Sequence, residues 1–490
     1  MPKSVPIVLA CVLWGAAAVM AAEPVPGPKE FLAQSLKDPQ TVPAVLAALR
    51  STGDKELLPL LVALSQSQDK NVRLYVTRSL AELGGKDAAE ALLGRLNDDA
   101  ETDIRIEALV GLLALKAISD EQLVATLKAD SKDLQCLAAC ALSQRAGGKA
   151  AEPTLQRLAG ERDLFLQSLA RMSLLGMGHQ EQLAALSKII KAPNTPGDIP
   201  HRLMEQIVQE KVSAALELAE QAAQSDKGPL QGRAYRAIAA VSPKATTELV
   251  EAIHKSGELT FRVSLLQLLA ARDDARAALE GLTGETDGVG ALARLELARA
   301  AGGQAAQDAA MAAVKLEHPV IIDYVLDAAR KDITDKADKA DFYAPALLAF
   351  IRSVEPQTSV MKREHVRAAQ AATMLADLGT SAAMEALKEL LAGRYNAIQR
   401  AAAAGLLRTK NKAACELARP MLSSPYEELA SDAALMLGRF GDPGAKDHLT
   451  QILAHGPSHS RELVSLAAWY LLKIDGQTAS AVAELAKTVK

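Results

Sequence analysis

Histidines near the C-terminus have a spacing that could hold a metal ion. In HGPSHSRE, His455 and His459 lie four residues apart and Glu462 follows three residues later, a spacing that places ligands on one face of a helix. Gly456 and Pro457 lie between the two histidines, and both residues disfavour a helix there. We therefore interpret this stretch as a loop, with a metal site as the alternative.

A second stretch, CLAAC, places Cys136 and Cys140 one helical turn apart. Small packing residues are the favoured interpretation, while a reactive thiol pair and a metal pair are the alternatives. A metal pair would need further ligands, and none lies nearby in the sequence. The other cysteines are Cys11 and Cys415. So few cysteines do not form a disulfide framework.

Other catalytic patterns are missing from the sequence. There is no G-x-S-x-G nucleophile elbow, and no strand or fuller glycine pattern accompanies Gly288 and Gly290, as a phosphate loop would require. We therefore predict a non-enzymatic protein with no catalytic residues, no metal ion and no cofactor.

The first 22 residues have the pattern of a secretory signal peptide. Lys3 is followed by an apolar run up to Ala22 and then by a proline-rich stretch, which matches a charged region, a hydrophobic region and a small-residue cleavage site. We predict a signal peptide at 1–22, a proline-rich lead-in at 23–40, and a bacterial protein that is periplasmic or secreted, with no membrane insertion after cleavage. An uncleaved membrane anchor and lipidation at Cys11 are the alternatives.

The composition favours closely packed helices. Of the 490 residues 49% are apolar but only 3% are aromatic, and the formal net charge is −4. The apolar residues are mostly Ala and Leu, which are strong helix formers and are not typical of sheets. A slightly acidic chain has no general attraction for nucleic acid or anionic lipid. We therefore expect no nucleic-acid partner.

The stretch KNVRLYVTRSLAELGGKDAAEALLGRLNDD, residues 70–99, predicts two helices. Val72, Val76 and Leu80 recur at helical spacing and mark the buried face of the first helix. Gly84 should end this helix, since glycine readily takes the left-handed conformation after a helix C-terminus. Leucines at similar spacing then mark a second helix.

This two-helix phrase recurs along the chain. Copies begin at 102 (TDIRIEALVGLLALK), 363 (REHVRAAQAATMLADLG) and 461 (RELVSLAAWYLLKIDG). A period of roughly 30 to 34 residues with two helices per unit indicates a solenoid, because one unit cannot bury both apolar faces alone. About 13 units at roughly 10 Å each predict a curved rod on the order of 130 Å long.

The phrases resemble HEAT repeats, whose signature is D-x-x-V-R-x-x-A-x-x-A-L-G-x-L-G. DKNVRLYVTRSLAELG and ETDIRIEALVGLLAL match it well. The resemblance implies an all-α, right-handed α-solenoid. It divides the chain into an N-terminal repeat part, degenerate repeats, a connection with a charged loop, and a C-terminal repeat part. These segments are 41–200, 201–330, 331–361 and 362–490.

In the HEAT family, Asp and Arg of each unit form a ladder between neighbours. Arg73, Arg105 and Arg262 occupy the arginine position here, whereas Gln135 and Leu429 replace it. The resemblance therefore implies a ladder that is interrupted in this chain.

The repeats and the missing catalytic pattern predict a binding scaffold. Its partner would be an envelope or secreted protein, which lies in a concave groove lined by the second helices of the units. The oligomeric state is left open. Some repeats also resemble phycobilin lyases, and the alternative function is therefore a cofactor-handling or lyase-like protein. The candidate partner-binding residues are exposed positions of the helices that carry the repeat signature, which count as the second helices of the HEAT units: Arg73, Thr77, Arg105, Arg262 and Arg400.

Overall fold

The structure is a computed structural model, and it describes residues 26–38, 40–192, 195–225, 228–336, 340–354, 362–392, 397–456 and 459–489. The described residues form 29 α-helices with short 3₁₀ turns and contain no strand. The predicted all-α solenoid is therefore confirmed. The predicted signal peptide, 1–22, lies outside the described residues. None of the described helices is both long and apolar enough to cross a membrane.

The helices begin with α1 (Pro28–Lys37) and then alternate between two layers. In the first layer each helix packs side by side on the next one. Its members are α2 (Val42–Thr52), α4 (Lys70–Leu83), α6 (Thr102–Ala114), α8 (Lys132–Ser143), α10 (Leu164–Gly176), α12 (Asp198–Glu210), α14 (Gly228–Val241), α16 (Leu259–Ala270), α18 (Gly288–Arg299), α20 (Pro319–Lys336), α22 (Arg363–Leu378), α24 (Ala397–Leu406), α26 (Glu427–Arg439) and α28 (Arg461–Ile474).

The second layer covers the first from one side. Its members are α3 (Leu58–Leu64), α5 (Lys86–Asp98), α7 (Asp120–Thr126), α9 (Glu152–Leu158), α11 (Gln182–Lys191), α13 (Leu216–Ala223), α15 (Ala245–Lys255), α17 (Arg276–Leu282), α19 (Gly303–Val314), α21 (Ala344–Ser353), α23 (Ser381–Leu391), α25 (Cys415–Ala418), α27 (Lys446–Ala454) and α29 (Thr478–Thr488). The structure thus has 14 helix pairs, against about 13 predicted from the repeat period.

The boundaries of α4 show how the sequence specifies each helix. Asp69 begins the helix, because its carboxylate accepts the backbone N–H groups of Asn71 (2.7 Å) and Val72 (3.2 Å) and so satisfies two donors that have no partner within the helix. Val72 and Leu80 are buried as predicted. Gly84, with φ +66°, follows the last residue, as predicted for a glycine after a helix end.

Small residues let the helices of the first layer approach closely. Gly405 of α24 lies against the backbone of Ala369 and against Ala372, both in α22, and a Cβ atom at Gly405 would lie 2.6 Å from the Cβ of Ala372. Gly111 of α6 faces Ala81 of α4 in the same way. Helices of the second layer are spread further apart and pack on each other at only some of the steps. The first layer therefore follows the shorter path and is the inner layer of a curved array.

The two ends of the array meet. Helix α28 packs against α1 and α2, and α29 packs against α1 and α3; we call these five helices the seam. The predicted open rod is therefore wrong, because the helices form a closed ring. With neighbouring axes about 9 Å apart, 14 inner helices enclose an opening of roughly 30 Å after the helix radius is subtracted.

Polar contacts hold the seam together around a buried tryptophan. The Trp469 side chain of α28 is fully buried, and its indole N–H donates to the carboxylate of Asp54 (2.7 Å). The ammonium of Lys473 donates to the same carboxylate at 2.8 Å. The guanidinium of Arg461 lies 5.5 Å from the centre of the Phe31 ring, a distance typical of a cation–π contact.

A second ion pair joins the outermost elements of the seam. The ammonium of Lys29 in α1 lies 2.7 Å from the carboxylate of Glu484 in α29. Leu32 and Leu36 of α1 are buried. The predicted lead-in, 23–40, therefore contains a helix that fastens the last unit to the first.

Two predicted segment boundaries fall inside helices. The boundary at 200 lies in the first turn of α12, where Pro200 is tolerated because the backbone N–H groups there have no partner within the helix. The boundary at 330 lies within α20, which continues because Ile333 is buried. The predicted connection, 331–361, contains α21, a member of the outer layer.

Candidate functional site

The inner helices expose one stripe of residues to the opening. Neighbouring inner helices cover two sides of each helix and the outer layer covers a third, so the solvent-exposed positions near the middle of the helix face inward. On α4 and α6 this stripe carries Tyr75, Arg78, Glu107 and Val110. Tyr75 is 38% and Val110 is 46% exposed, and the two residues belong to adjacent helices.

Ion pairs link successive inner helices along this surface. The Arg78 guanidinium of α4 lies 2.5 Å from the carboxylate of Glu107 in α6. Hydrogen bonding to Glu107 raises the pKa of Arg78. Further pairs join α2 to α4, α12 to α14 and α20 to α22. They are Arg50 with Glu82, Arg233 with Glu205, and Arg367 with Asp323.

Exposed apolar side chains of the ring are confined to the inner layer. Within the described ranges every large hydrophobic side chain that is exposed belongs to an inner helix or to the residues just before one, and none belongs to an outer helix. The members lie on separate helices around the ring, in an inner-face group and in a rim group at or just before the N-terminal ends of inner helices. The inner-face group consists of Tyr75, Val110 and Val366, and the rim group of Leu164, Phe165, Leu316 and Tyr426.

Three of the predicted binding residues belong to the ladder between units. The guanidinium of Arg73 lies 2.8 Å from Asp99 and its side chain is 13% exposed. Arg105 pairs with Asp130 at 2.8 Å, and Arg262 pairs with Glu285 at 2.8 Å and also with Asp287. The predicted exposure of these arginines is wrong, because their guanidinium groups form ion pairs with carboxylates of the ladder.

The Asp99 carboxylate shows how strongly the ladder is held. Its side chain is 1% exposed, and this burial opposes ionisation. Hydrogen bonds from Arg73 and from the backbone of Glu101, together with the charges of Arg73 and Arg95, outweigh burial and lower the pKa of Asp99. The pair therefore joins two units through an ionised, nearly enclosed carboxylate.

The remaining two predicted residues differ from each other. Thr77 is fully buried, and its hydroxyl donates to the backbone oxygen of Arg73 (2.8 Å), so its predicted exposure is wrong. Arg400 is half-buried on α24, and its role in partner binding stays a prediction. Tyr75 was not predicted as a site residue, although it follows the ladder arginine Arg73 by only two positions.

The interrupted positions of the ladder are bridged differently. The amide of Gln135 donates to the backbone oxygen of Ala129 (2.6 Å) and accepts a hydrogen bond from Arg157. Gln167 makes the equivalent bond to Glu161 at 3.0 Å. Glutamine at these positions therefore keeps a hydrogen bond to the backbone of the preceding loop. Leu429 cannot make that bond and is instead buried in apolar packing.

A polar network that the sequence did not indicate joins α18 to α20. Arg299 donates to both carboxylate oxygens of Asp332 (2.9 and 2.6 Å) and of Glu296 (2.6 and 2.7 Å). Hydroxyl groups of Tyr324 and Tyr343 donate to Glu296 (2.8 Å) and Asp332 (3.0 Å). A cavity of about 940 Å³ lies beside it. Every carboxylate in this network has a partner, and the network therefore stabilises the joint between the units of α18 and α20.

The histidines near the C-terminus do converge on one cavity. His448, His455 and His459 line a space of about 310 Å³, and the His459 ring lies 4.0 Å from the carboxylate of Glu427. Residues 457–458 lie outside the described part. Among the residues that the structure describes, no three His, Cys, Asp or Glu side chains are placed to hold a metal ion together.

The two cysteines of α8 lie in a polar cluster between three inner helices. The Sγ atoms of Cys136 and Cys140 are 4.0 Å apart. Hydrogen bonding to Cys136 and burial raise the pKa of Cys140 well above its usual value, and the charge of Glu210 acts in the same direction. Burial raises the pKa of Glu210 to about 7, against hydrogen bonds from Gln206 and Ser173 that lower it.

These features define the class of protein: a closed α-solenoid of paired helices whose inner face is exposed. The family model for HEAT repeats matches residues 29–112 and 386–469, so HEAT repeats occupy these two terminal segments, as predicted. The two matched segments contain most of the seam, where the first and last repeats pack on each other.

Three solved structures show how far the likeness extends. The complex of CpcE and CpcF of phycocyanin lyase from Nostoc sp. PCC7120 is 20% identical over 51% of this chain and 91% of that chain, with a TM-score of 0.29. Kap121p is 14% identical over 86% of this chain and 54% of its own, with a TM-score of 0.37. Kap95p, solved with RanGDP, is 12% identical over 88% of this chain and 68% of its own, with a TM-score of 0.40. A comparison with curated protein sequences finds no match.

Proposed function

We propose that this protein is a non-enzymatic binding scaffold, exported from a bacterial cell, whose HEAT-repeat ring holds a protein partner on its inner face. The observation that carries the proposal is the placement of the exposed apolar side chains. Large apolar groups face the opening and its rim, while none is exposed on the described outer helices. Tyr75 and Val110 lie on adjacent helices beside the ion pair of Arg78 and Glu107, and exposed apolar groups rimmed by polar residues are typical of protein interaction sites.

The side-chain types of the inner face suit a polypeptide. Tyr75 and Val110 flank the ion pair of Arg78 and Glu107, so an aromatic ring, an aliphatic group and a guanidinium lie together. Tyrosine and arginine are enriched at the centres of protein interfaces, where a few such residues contribute most of the binding energy. The neighbouring arginine–carboxylate pairs can rearrange to meet charged groups of a partner.

The closed shape limits what can bind. An opening of roughly 30 Å admits a helix, about 10–12 Å across with its side chains, or an extended segment, and it excludes a large folded domain. We therefore expect the ring to hold a segment of its partner, while residues of the rim group contact the adjoining surface.

Site-specific photo-crosslinking in cells tests this proposal. A photoreactive phenylalanine analogue at Tyr75 or Val110 should crosslink to one protein, whereas the same analogue at Glu90, an exposed residue of outer helix α5, should not. Tyr75→Ser with Val110→Ser should reduce capture of that protein without lowering the melting temperature. Equal crosslinking from Glu90, or unchanged capture by the double variant, would contradict the inner-face proposal.

Export rests on the N-terminal pattern alone. Cleavage after Ala21 or Ala22 is the expected result, and the intact mass of the protein from separated cell fractions measures it directly. An uncut chain in the membrane fraction would indicate an anchor instead.

The cofactor-handling alternative has a separate test. A protein that carries a pigment shows an absorption band in the visible range after purification from its own cells. Such a band, together with loss of protein capture, would favour the alternative.

A further inference from the structure

The dithiol of α8 is not needed for the proposed protein binding. Cys136 is 1% exposed and Cys140 is half-buried, and both are free thiols. Their Sγ atoms point to the same place, 4.0 Å apart. Helix packing alone requires no such pair, because alanine occupies neighbouring positions of the same helix.

The pair cannot close into a disulfide within this helix. Side chains four residues apart on a helix have Cβ atoms about 5–6 Å apart, whereas a disulfide needs about 3.5–4.5 Å. Unwinding α8 would break its packing against α6, α7, α9 and α10. The fold therefore keeps the two sulfur atoms reduced and close to each other.

The surroundings of the two thiols supply oxygen and amide groups. Ser173 of α10 and Glu210 of α12 approach the thiols, and the amide of Gln206 donates to Glu210 (2.8 Å). The side-chain oxygen of Gln206, a residue only 6% exposed, has no hydrogen-bond partner. A buried polar atom without a partner is costly, and the cluster is therefore not saturated by its own contacts.

We propose that Cys136 and Cys140 bind one soft metal ion, Cu(I), between their two sulfur atoms. Thiolates select soft ions such as Cu(I) over hard ones. A Cu(I) ion held by two thiolates prefers a nearly linear S–Cu–S arrangement, which needs sulfur atoms about 4.6 Å apart for metal–sulfur distances of about 2.3 Å. The two sulfur atoms, now 4.0 Å apart, must therefore separate by about 0.6 Å when the ion binds. On binding, the two S–H bonds break, both protons leave to solvent and two sulfur–copper bonds form, with no change of oxidation state.

The donor set separates Cu(I) from Zn(II). A structural zinc site takes four protein ligands, and the described part of the chain places no three suitable side chains together. A d¹⁰ Cu(I) ion is satisfied by two thiolates. Cys140 is the more exposed of the two residues and marks the side from which the ion enters, while Cys136, 1% exposed, holds the ion within the helix layer.

Anaerobic titration of the reduced full chain with Cu(I), in competition with a colorimetric Cu(I) chelator, tests the proposal. A Cys11→Ser, Cys415→Ser background leaves only the α8 pair. We expect one Cu(I) per chain, and an affinity lowered more than about 100-fold by Cys136→Ser or Cys140→Ser, since a direct ligand is worth at least as much as an outer-shell partner. Ser143→Ala, on the same helix, is the matched control and should bind normally.

Two measurements make the result decisive. X-ray absorption of the loaded background protein should show two sulfur neighbours at the copper, independently of any variant. An equimolar amount of Zn(II) should not displace the copper. Full binding by either single serine variant, absence of sulfur neighbours, or displacement by zinc would overturn the proposal.

Discussion

Asp54→Ala removes the carboxylate that receives two donors across the seam. Asp54 lies just after α2, and its partners Trp469 and Lys473 belong to the penultimate helix, α28. The substitution leaves the apolar contacts of the seam in place. It therefore tests whether polar closure contributes to the ring, without creating a large cavity.

The size of the effect follows from the burial of each partner. Trp469 is fully buried, and a buried N–H group without an acceptor costs about 1–3 kcal/mol. The Lys473 and Asp54 side chains are 30% and 21% exposed, and a pair open to solvent at this level adds about 0.5–1 kcal/mol. A total of about 1.5–4 kcal/mol makes seam opening roughly 10- to 1,000-fold more frequent.

Hydrogen exchange measures seam opening directly. Amide groups of α1, α2, α28 and α29 should lose protection by the factor above, while α16 and α18, which lie away from the seam in the ring, should not change. Fluorescence gives a second reading, because the chain has two tryptophans. A Trp14→Phe background isolates Trp469, whose emission should shift to the red as the indole meets water.

Asp323→Ala is the matched control. It removes another carboxylate that pairs with an arginine between two inner helices, Arg367 at 2.5 Å, but it lies away from the seam. Equal increases in the exchange of α28 and α29 by both variants would refute the closed ring. Wild-type exchange in these two helices as fast as at the frayed end of an open array would refute it as well.

Three further predictions concern stability. Leu80→Asp places an unpaired charge at a fully buried position and should cost several kcal/mol of unfolding free energy; a loss below about 1 kcal/mol in urea titration would contradict this. Gly405→Ala should cost about 1–3 kcal/mol because its Cβ meets Ala372, whereas Gly232→Ala, which meets nothing within 4 Å, should be neutral or stabilising in thermal melts. Burial raises the pKa of Glu210 from 4.5 to about 7, so the folded state binds this proton more tightly than the unfolded state. The free energy of unfolding should therefore fall by up to about 3 kcal/mol as pH rises from 4.5 to about 7. Glu210→Gln should abolish that fall in urea titrations below and above this pH range, and an unchanged pH dependence would contradict the prediction.

Features that depend on near neighbours in the chain were predictable. The burial of Val72, Val76 and Leu80 follows from their helical spacing, and the structure confirms it. The end of α4 at Gly84 follows from the left-handed backbone that glycine accepts. The two-helix unit and its period are of this kind, since each copy repeats the same local pattern.

Helix α1 was missed although a signal was present. Pro28 occupies the first position of the helix and Phe31, Leu32 and Leu36 form its buried face. Proline is favoured at a helix start and so predicts one. The neighbouring prolines led to a lead-in interpretation instead, because a cluster of prolines is more typical of an extended segment.

Ring closure could not be predicted from local pattern. Whether the array closes depends on the small rotation between successive units, added over 14 of them. A change of a few degrees per unit separates a ring from an open superhelix. That rotation is set by contacts such as Gly405 against Ala372 and Gly111 against Ala81, whose partners lie about one period away.

The exposure of the candidate binding residues was predicted wrongly for a related reason. Arg73, Arg105 and Arg262 fall on the outward side of the predicted apolar stripe, and so they were expected to be exposed. A neighbouring unit supplies a carboxylate to each of them. Only the packing of two units shows that Tyr75, and not Arg73, is the residue of α4 that faces the opening.

Closure changes how the array resists unfolding. In an open solenoid the terminal units need polar outer faces, because nothing covers them. Here the apolar face of α28 covers that of α1 and α2, and Trp469 is buried between them. Opening the seam therefore exposes two apolar faces at once, and loss of one unit also removes the cover from the opposite end. Local unfolding should for this reason cost least free energy away from the seam, where inner helices are least tightly joined. A partner held in the opening would be retained as long as the seam stays closed.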